Sequence, residues 1–268
     1  MILLIFEGKK TEPQVMATLQ YLFFSNAAEC ILCSFGTDTL SLWKEVKEHT
    51  ANGYDADAFT IMRNYLHNKG DYSLDGYYSY QIEAIYLFFD YDPQNHATPE
   101  TLNGSIEKLL SIFNDAMGNG KIFISYPMIE SLFCFNTIPD PDYKQSRVSL
   151  ALCHKFKDWG DSTYRLFKQR TDLLYRTDKN CRISEADPKA RARVLKDRWK
   201  ELIKISLVKA NWICNGSCCS PTADEDISQE KIFSCQLEKF VSTSTEVALL
   251  NAFPMFLYEH FLFLSSPS

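Results

Sequence analysis

Long apolar runs are missing from this chain. None reaches the roughly 18 to 20 residues that a membrane-crossing helix needs. The opening stretch Ile2-Leu3-Leu4-Ile5-Phe6 runs directly into Glu7, so it does not read as a signal peptide either. A cytoplasmic protein with no membrane contact is the expectation. Paired zinc-type cysteines are missing too. Of nine cysteines, Cys30 and Cys33 have C-x-x-C spacing, but a structural zinc site needs a second pair, and Cys214, Cys218 and Cys219 are wrongly spaced to supply it. Reduced thiols therefore read better than a zinc site or a disulfide framework. Gly8-Lys9-Lys10-Thr11 lacks the upstream glycine of a phosphate-binding P-loop. No G-x-S-x-G elbow is present, and adjacency of Cys153 and His154 does not make a catalytic dyad. Neither an RNP1 signature nor a repeat nor a low-complexity tract is found. These gaps argue against membrane transport, ATP hydrolysis by a P-loop and serine-type acyl transfer.

What is present suits a globular protein. The 268 residues allow one large domain or two modest ones, and an aromatic content of 14% supplies ample core material. Charge is unevenly spread beneath a net charge of −6. Residues 1–143 hold 8 Lys and Arg against 19 Asp and Glu, residues 144–209 hold 18 against 8, and residues 210–268 hold 2 against 7. An acidic half beside a basic segment suits a metal on one side and phosphate on the other. The plain alternative is a set of solvated helix faces.

The acids have a pattern. Residues 2–6 read as a buried strand that ends in Glu7-Gly8, and Ile85-Tyr86-Leu87-Phe88-Phe89 reads as a second that ends in Asp90-Tyr91-Asp92. Residues two apart share a strand face, so Asp90 and Asp92 are expected to point the same way. Ligands of open α/β sheets bind at such strand ends. Carboxylates from two strands make an oxygen-rich cluster suited to Mg²⁺ or Mn²⁺. Taken singly, a Glu after a strand reads as a solvated loop acid and Asp-x-Asp-Pro as a turn.

A strand-Glu-Gly segment followed by a strand-Asp-x-Asp segment resembles the Toprim domain of topoisomerases, primases and small nucleases. Glu7-Gly8-Lys9-Lys10-Thr11-Glu12-Pro13, with Ser125-Tyr126-Pro127-Met128-Ile129-Glu130-Ser131-Leu132, is similar to the RloB and OLD-type members. The likeness covers residues 1 to about 135. It implies a Toprim-like (Rossmann-like) parallel sheet flanked by helices over residues 1–140, then a mainly helical, partly basic region over 141–268. It implies a Mg²⁺- or Mn²⁺-dependent nuclease with Glu7, Asp90, Asp92 and Glu130 catalytic and Glu7, Glu12, Asp90 and Asp92 on the metal. Glu12 sits one residue further on than in OLD-type proteins; its other reading is a first-turn acid complementing the helix dipole. Glu130 reads otherwise as a capping or surface acid.

Lys9 and Lys10, at a helix start, are candidates for a scissile phosphate or plain loop cations. Lys189, Arg191, Arg193, Lys196, Arg198 and Lys200 are the candidate grip on a DNA or tRNA backbone. His96 reads as a general base or, more simply, a surface histidine. The resemblance implies an anti-phage or toxin-like effector working with a separate ABC- or AAA-type ATPase, and leaves room for a homo-oligomer. Two rivals stand beside it: a non-catalytic interaction subunit, and a metal-dependent phosphotransfer enzyme acting on nucleotides.

In the first half, helices are expected over 11–24, 39–49, 56–68 and 98–117, strands over 29–34 and 121–125, and a helix over 128–135. Beyond Pro141, helices are expected near 145–157, 161–175, 187–212, 228–240 and 243–264. The last is apolar most of the way round, so it belongs in the core or against a partner, with a kink at Pro254.

Overall fold

The computed structural model describes residues 1–24, 30–94, 98–175, 188–221 and 227–265; for residue 188 and residues 261–265 only the backbone is described. The first half contains β1 (Ile2–Phe6), α1 (Thr11–Phe23), β2 (Cys30–Ser34), α2 (Thr39–Ala51) and α3 (Ala58–Asn68). It continues with β3 (Ala84–Asp90), α4 (Pro99–Ile112), β4 (Asn114–Asp115) and β5 (Gly120–Ser125). The strands form a five-stranded sheet in the order β2-β1-β3-β5-β4. The first four are parallel, and β4 pairs antiparallel with β5. The architecture is therefore α/β with a mainly parallel sheet.

Side-chain alternation sorts the core into two layers. Ile5 and Leu87 meet Leu42, Ile61 and Met62 of α2 and α3 on one face. Phe6 and Phe88 point to the other face, where the ring of Phe253 stacks on them at 6.4 and 4.7 Å. Asp38 caps α2 by accepting the Ser41 N–H at 2.8 Å, and Asp57 caps α3 through Thr60 N–H at 2.9 Å. Thr98 caps α4, with Pro99 in the first helical position.

The second half holds β6 (Arg147–Ser149), α5 (Phe156–Thr163), α6 (Arg165–Lys168), α7 (Pro188–Asn215), α8 (Gln229–Gln236), α9 (Ser242–Ser244), β7 (Glu246–Ala248) and α10 (Ala252–Ser265). It is mainly helical, but β6 and β7 make a second, antiparallel sheet, and several expected helices are redrawn by it. The expected 145–157 helix is instead β6, a 3-10 segment over Leu150–Lys155 and the start of α5. Val148 pairs with Val247, a β-branched match that overrides local helical spacing. The expected 161–175 helix breaks where Tyr164 turns extended (φ −117°, ψ 136°). The 243–264 helix is cut at Thr245, which takes a left-handed φ of 52°, and restarts at Ala252. Asn251 is its cap, accepting the Phe253 N–H at 3.1 Å. Pro254 then lies in the first turn, where no helix hydrogen bond is lost and no kink is needed.

In the first half, α4 stops at Ile112 because the chain turns into the β4–β5 hairpin. The expected helix over 128–135 is a 3-10 turn, Ile129–Phe133. α10 packs on α7 and β5. One continuous hydrophobic cluster includes Phe6, Phe88 and Phe123 from the sheet together with Phe253 and Phe256 from α10. The described start of the terminal apolar segment, Ala252 to Leu257, thus fills the core.

Candidate functional site

Strand order reverses beside β1: the chain moves from β1 out to β2, then returns to β3 on the other side. The carboxyl ends of β1 and β3 therefore flank a switch-point crevice. Glu7 stands at the first and Asp90 at the second. The Glu7 N–H donates to Phe88 O at 2.9 Å, extending the ladder one residue past β1. Its carboxylate in turn accepts the Asp90 N–H at 3.0 Å. Thr39 fixes the other side of Asp90 by donating its hydroxyl to Asp90 O at 2.9 Å.

Asp92 reaches the same crevice, but not by strand alternation. β3 ends at Asp90, and Asp92 adopts a left-handed φ of 28°. Asp is one of the residues that tolerates this region. Its carboxylate accepts the Gln94 N–H at 3.3 Å, a local turn bond that holds it in place. Glu12, in the first turn of α1, curls back so that its carboxylate accepts the Gly8 N–H at 2.8 Å. A Cβ on Gly8 would lie 2.6 Å from both Glu12 oxygens, so a side chain there would push the Glu12 carboxylate out of this position. Glu130, 3% exposed, sits on the turn after β5, and Lys157 of α5 donates to it at 2.9 Å.

Together Glu7, Lys9, Lys10, Glu12, Asp90, Asp92, Glu130 and Lys157 line one cleft of about 510 Å³. All the acids expected from the sequence are gathered there. Burial pushes the Glu7 carboxyl from its ordinary 4.5 up to about 8; the Asp90 N–H opposes this, and the charges of Glu12, Asp92 and Asp38 reinforce it. Burial, then the charges of Glu7, Glu12 and Glu130, hold Asp90 well above the usual carboxylate range. Glu12 and Asp92 are raised as well, chiefly by burial, and in both cases the Lys157 charge pulls the other way.

Such a cluster is short of positive charge. The donor set is all carboxylate oxygen, which suits a hard divalent cation. Among the described residues, however, no group of three His, Cys, Asp or Glu side chains already converges on one ion position. The chemistry of the donors fits a cation; a ligand shell would have to be completed by side-chain rotation.

The basic residues expected to grip nucleic acid are elsewhere. Lys189, Arg191, Arg193, Lys196, Arg198 and Lys200 lie on α7, and none lines the acid cleft. Arg198 is paired with Asp172 at 3.3 Å, Lys200 with Asp197 at 3.5 Å, and Lys196 covers the Phe23 ring at 5.3 Å. Arg191 donates to Thr171 O at 3.5 Å. The basic segment reaches the acids through Lys157 instead. Its place was not legible, because nothing in its local sequence sets it apart; the charge contrast between the halves was the available signal. His96 lies outside the described residues. No disulfide joins the described cysteines. No helix among the described residues is long and apolar enough to cross a membrane.

Compared with known proteins, the chain matches no family model, no curated protein and no solved structure.

Proposed function

We propose that this protein is a metal-dependent nuclease that cleaves phosphodiester bonds, of the Toprim kind its motifs resemble. One observation carries the reading: Glu7, Asp90 and Asp92, with Glu12 and Glu130 beside them, line a single cleft at the switch point of the sheet. Mg²⁺ or Mn²⁺ would be held by Glu7, Asp90 and Asp92, and by Glu12 once it releases the Gly8 N–H. Bound there, such ions supply Lewis acidity toward a phosphoryl oxygen and a more acidic water.

The chain's own residues do the rest. Lys9 and Lys10, ahead of the first turn of α1, offer cations and backbone N–H groups to a phosphate. Lys157 is 66% exposed, so its ammonium is free to swing from Glu130 to an incoming anion. Glu130 then keeps a buried carboxylate on the flank of the cleft, available to hold a proton or a water. The resemblance further suggests an intracellular defence effector whose activity is gated by a separate ABC- or AAA-type ATPase.

The test is cleavage of plasmid DNA, single-stranded DNA and total tRNA in Mg²⁺, Mn²⁺ or EDTA by wild type and Asp90→Ala. Metal-dependent cutting, reduced at least about a hundredfold in the variant, is expected. Cutting that persists in EDTA or in the variant would contradict the reading. A second reading, phosphotransfer on free nucleotides, draws on the size of the cleft, which falls within the range of small-ligand pockets. Its signature is turnover of mononucleotides with polymers left intact.

A further inference from the structure

A second and larger cleft, about 980 Å³, opens beside the acid cleft over the carboxyl end of β2. The two are joined by Lys9, which lines both. The sequence makes room for that lysine. Gly36 has a φ of +77°, and a Cβ there would sit 2.6 Å from Lys9 Cε. Glycine at this one position both permits the turn after β2 and leaves the channel that the lysine stem occupies. The Lys9 ammonium is thereby directed along the boundary between the clefts.

Further around the wall are Lys44 on α2 and Lys69 at the end of α3. Among the described residues two acids, Glu45 and Asp71, line the same space, so cations outnumber carboxylates here, the reverse of the neighbouring cleft. Lys44 is held only by an exposed contact to Glu48 at 3.7 Å, which an incoming anion readily replaces. Hydroxyls of Thr37 and Ser41 add neutral hydrogen-bonding groups. One wall is aromatic: Tyr65 packs on buried Phe35 with ring centroids 4.1 Å apart, which fixes its orientation. Lys69 stands over the same ring at 5.5 Å. Leu32, 39% exposed on β2, extends the apolar surface.

Cations, hydroxyls and a braced aromatic ring are the three elements that bind a phosphate, a sugar and a base. A site of this size accommodates a nucleotide unit. We propose that this cleft is a nucleotide subsite: Lys9, Lys44 and Lys69 take the phosphate, and Tyr65 takes the base. For a polymer the unit is the one flanking the bond presented to the acid cleft, and that part of the inference rests on the nuclease reading above. The Lys9 bridge then sets the path of the strand from one cleft to the other.

Binding separates the subsite from catalysis. A short fluorescein-labelled single strand, as DNA or RNA, is titrated by anisotropy with Ca²⁺ in place of Mg²⁺, at several salt concentrations. A nucleoside 5′-monophosphate is titrated by calorimetry. The proteins are wild type, Lys44→Gln/Lys69→Gln and Tyr65→Leu; the lysines are exposed, and leucine keeps the apolar packing on Phe35. For the lysine pair, a loss of about tenfold in strand affinity is expected, with the salt slope shallower by about 1.4, near 0.7 for each contact removed. Tyr65→Leu is expected to lose a similar factor with the slope unchanged, because stacking releases no counterions. Strand binding that neither variant alters overturns the subsite while the nuclease reading stands. Binding of the monophosphate but not the strand, with the same dependence on the lysines, upholds the subsite and removes the polymer reading. Binding of neither overturns both.

Discussion

Glu7 carries more of the site's physics than any other residue. It closes the β1–β3 ladder with its N–H and holds Asp90 with its carboxylate, yet it is buried among acids. A carboxyl whose folded-state pKa is raised binds its proton more tightly in the folded form. The metal-free fold therefore loses stability as pH rises from about 4.5 to about 8, and the full cost is present above that window. Glu7→Gln keeps an oxygen to accept the Asp90 N–H and removes the charge. In EDTA the variant should unfold at the same temperature as wild type at the acid end of the window. At the alkaline end it should be more stable by on the order of a few kcal/mol. Thermal scans across that pH range check this; parallel curves for the two proteins would show that Glu7 is not the strained acid. The sequence marked Glu7, Asp90 and Asp92 through strand ends alone. It gave the wrong reason for Asp92, whose backbone is left-handed, because a turn beyond a strand leaves no periodic trace.

Legibility varied from element to element for physical reasons. Helices α2, α3 and α4 begin within two residues of their expected starts, and in the structure each has a side-chain cap directly before its first turn: Asp38, Asp57 and Thr98. β6 and β7 could not be read from the sequence, since each is three residues long and owes its form to a partner far along the chain. Asn251 caps α10 in the same way. It also matters to the site, because its Nδ2 donates to Ile129 O at 2.9 Å and Ser131 Oγ at 3.2 Å, pinning the turn that carries Glu130. Asn251→Ala loses a cap and leaves the Ile129 carbonyl buried without this donor. A loss of about 2 to 4 kcal/mol in urea-unfolding stability is expected. A change below about 1 kcal/mol would mean that water or a neighbour replaces the side chain.

At the scale of the whole molecule, the acidic first half and the region after it are not two cores. The apolar terminal helix supplies Phe253 and Phe256 to the sheet, and the basic segment supplies Lys157 to the acids. Phe253→Ala should cost about 3 to 5 kcal/mol, the range for a fully enclosed aromatic. A much smaller loss would mean that α10 is peripheral to the fold. The parallel sheet and the gathering of the acids were legible, because buried strands and strand-end carboxylates are local features. The placement of the basic segment was not: on α7, Arg198 pairs with Asp172 and Lys196 covers the Phe23 ring, contacts only the folded chain reveals. The acid cleft is proposed above to hold a divalent cation. Calorimetric titration of Mn²⁺ into EDTA-treated, dialysed protein near neutral pH tests it most directly, for wild type and Asp90→Ala, in two buffers of different ionisation enthalpy. Wild type should bind with release of protons, because the raised carboxyls must ionise. Asp90→Ala, freed of a buried acid, should stay folded and bind at least about tenfold more weakly. Equal binding by the two proteins, or none by either, would rule out a cation site in this cleft.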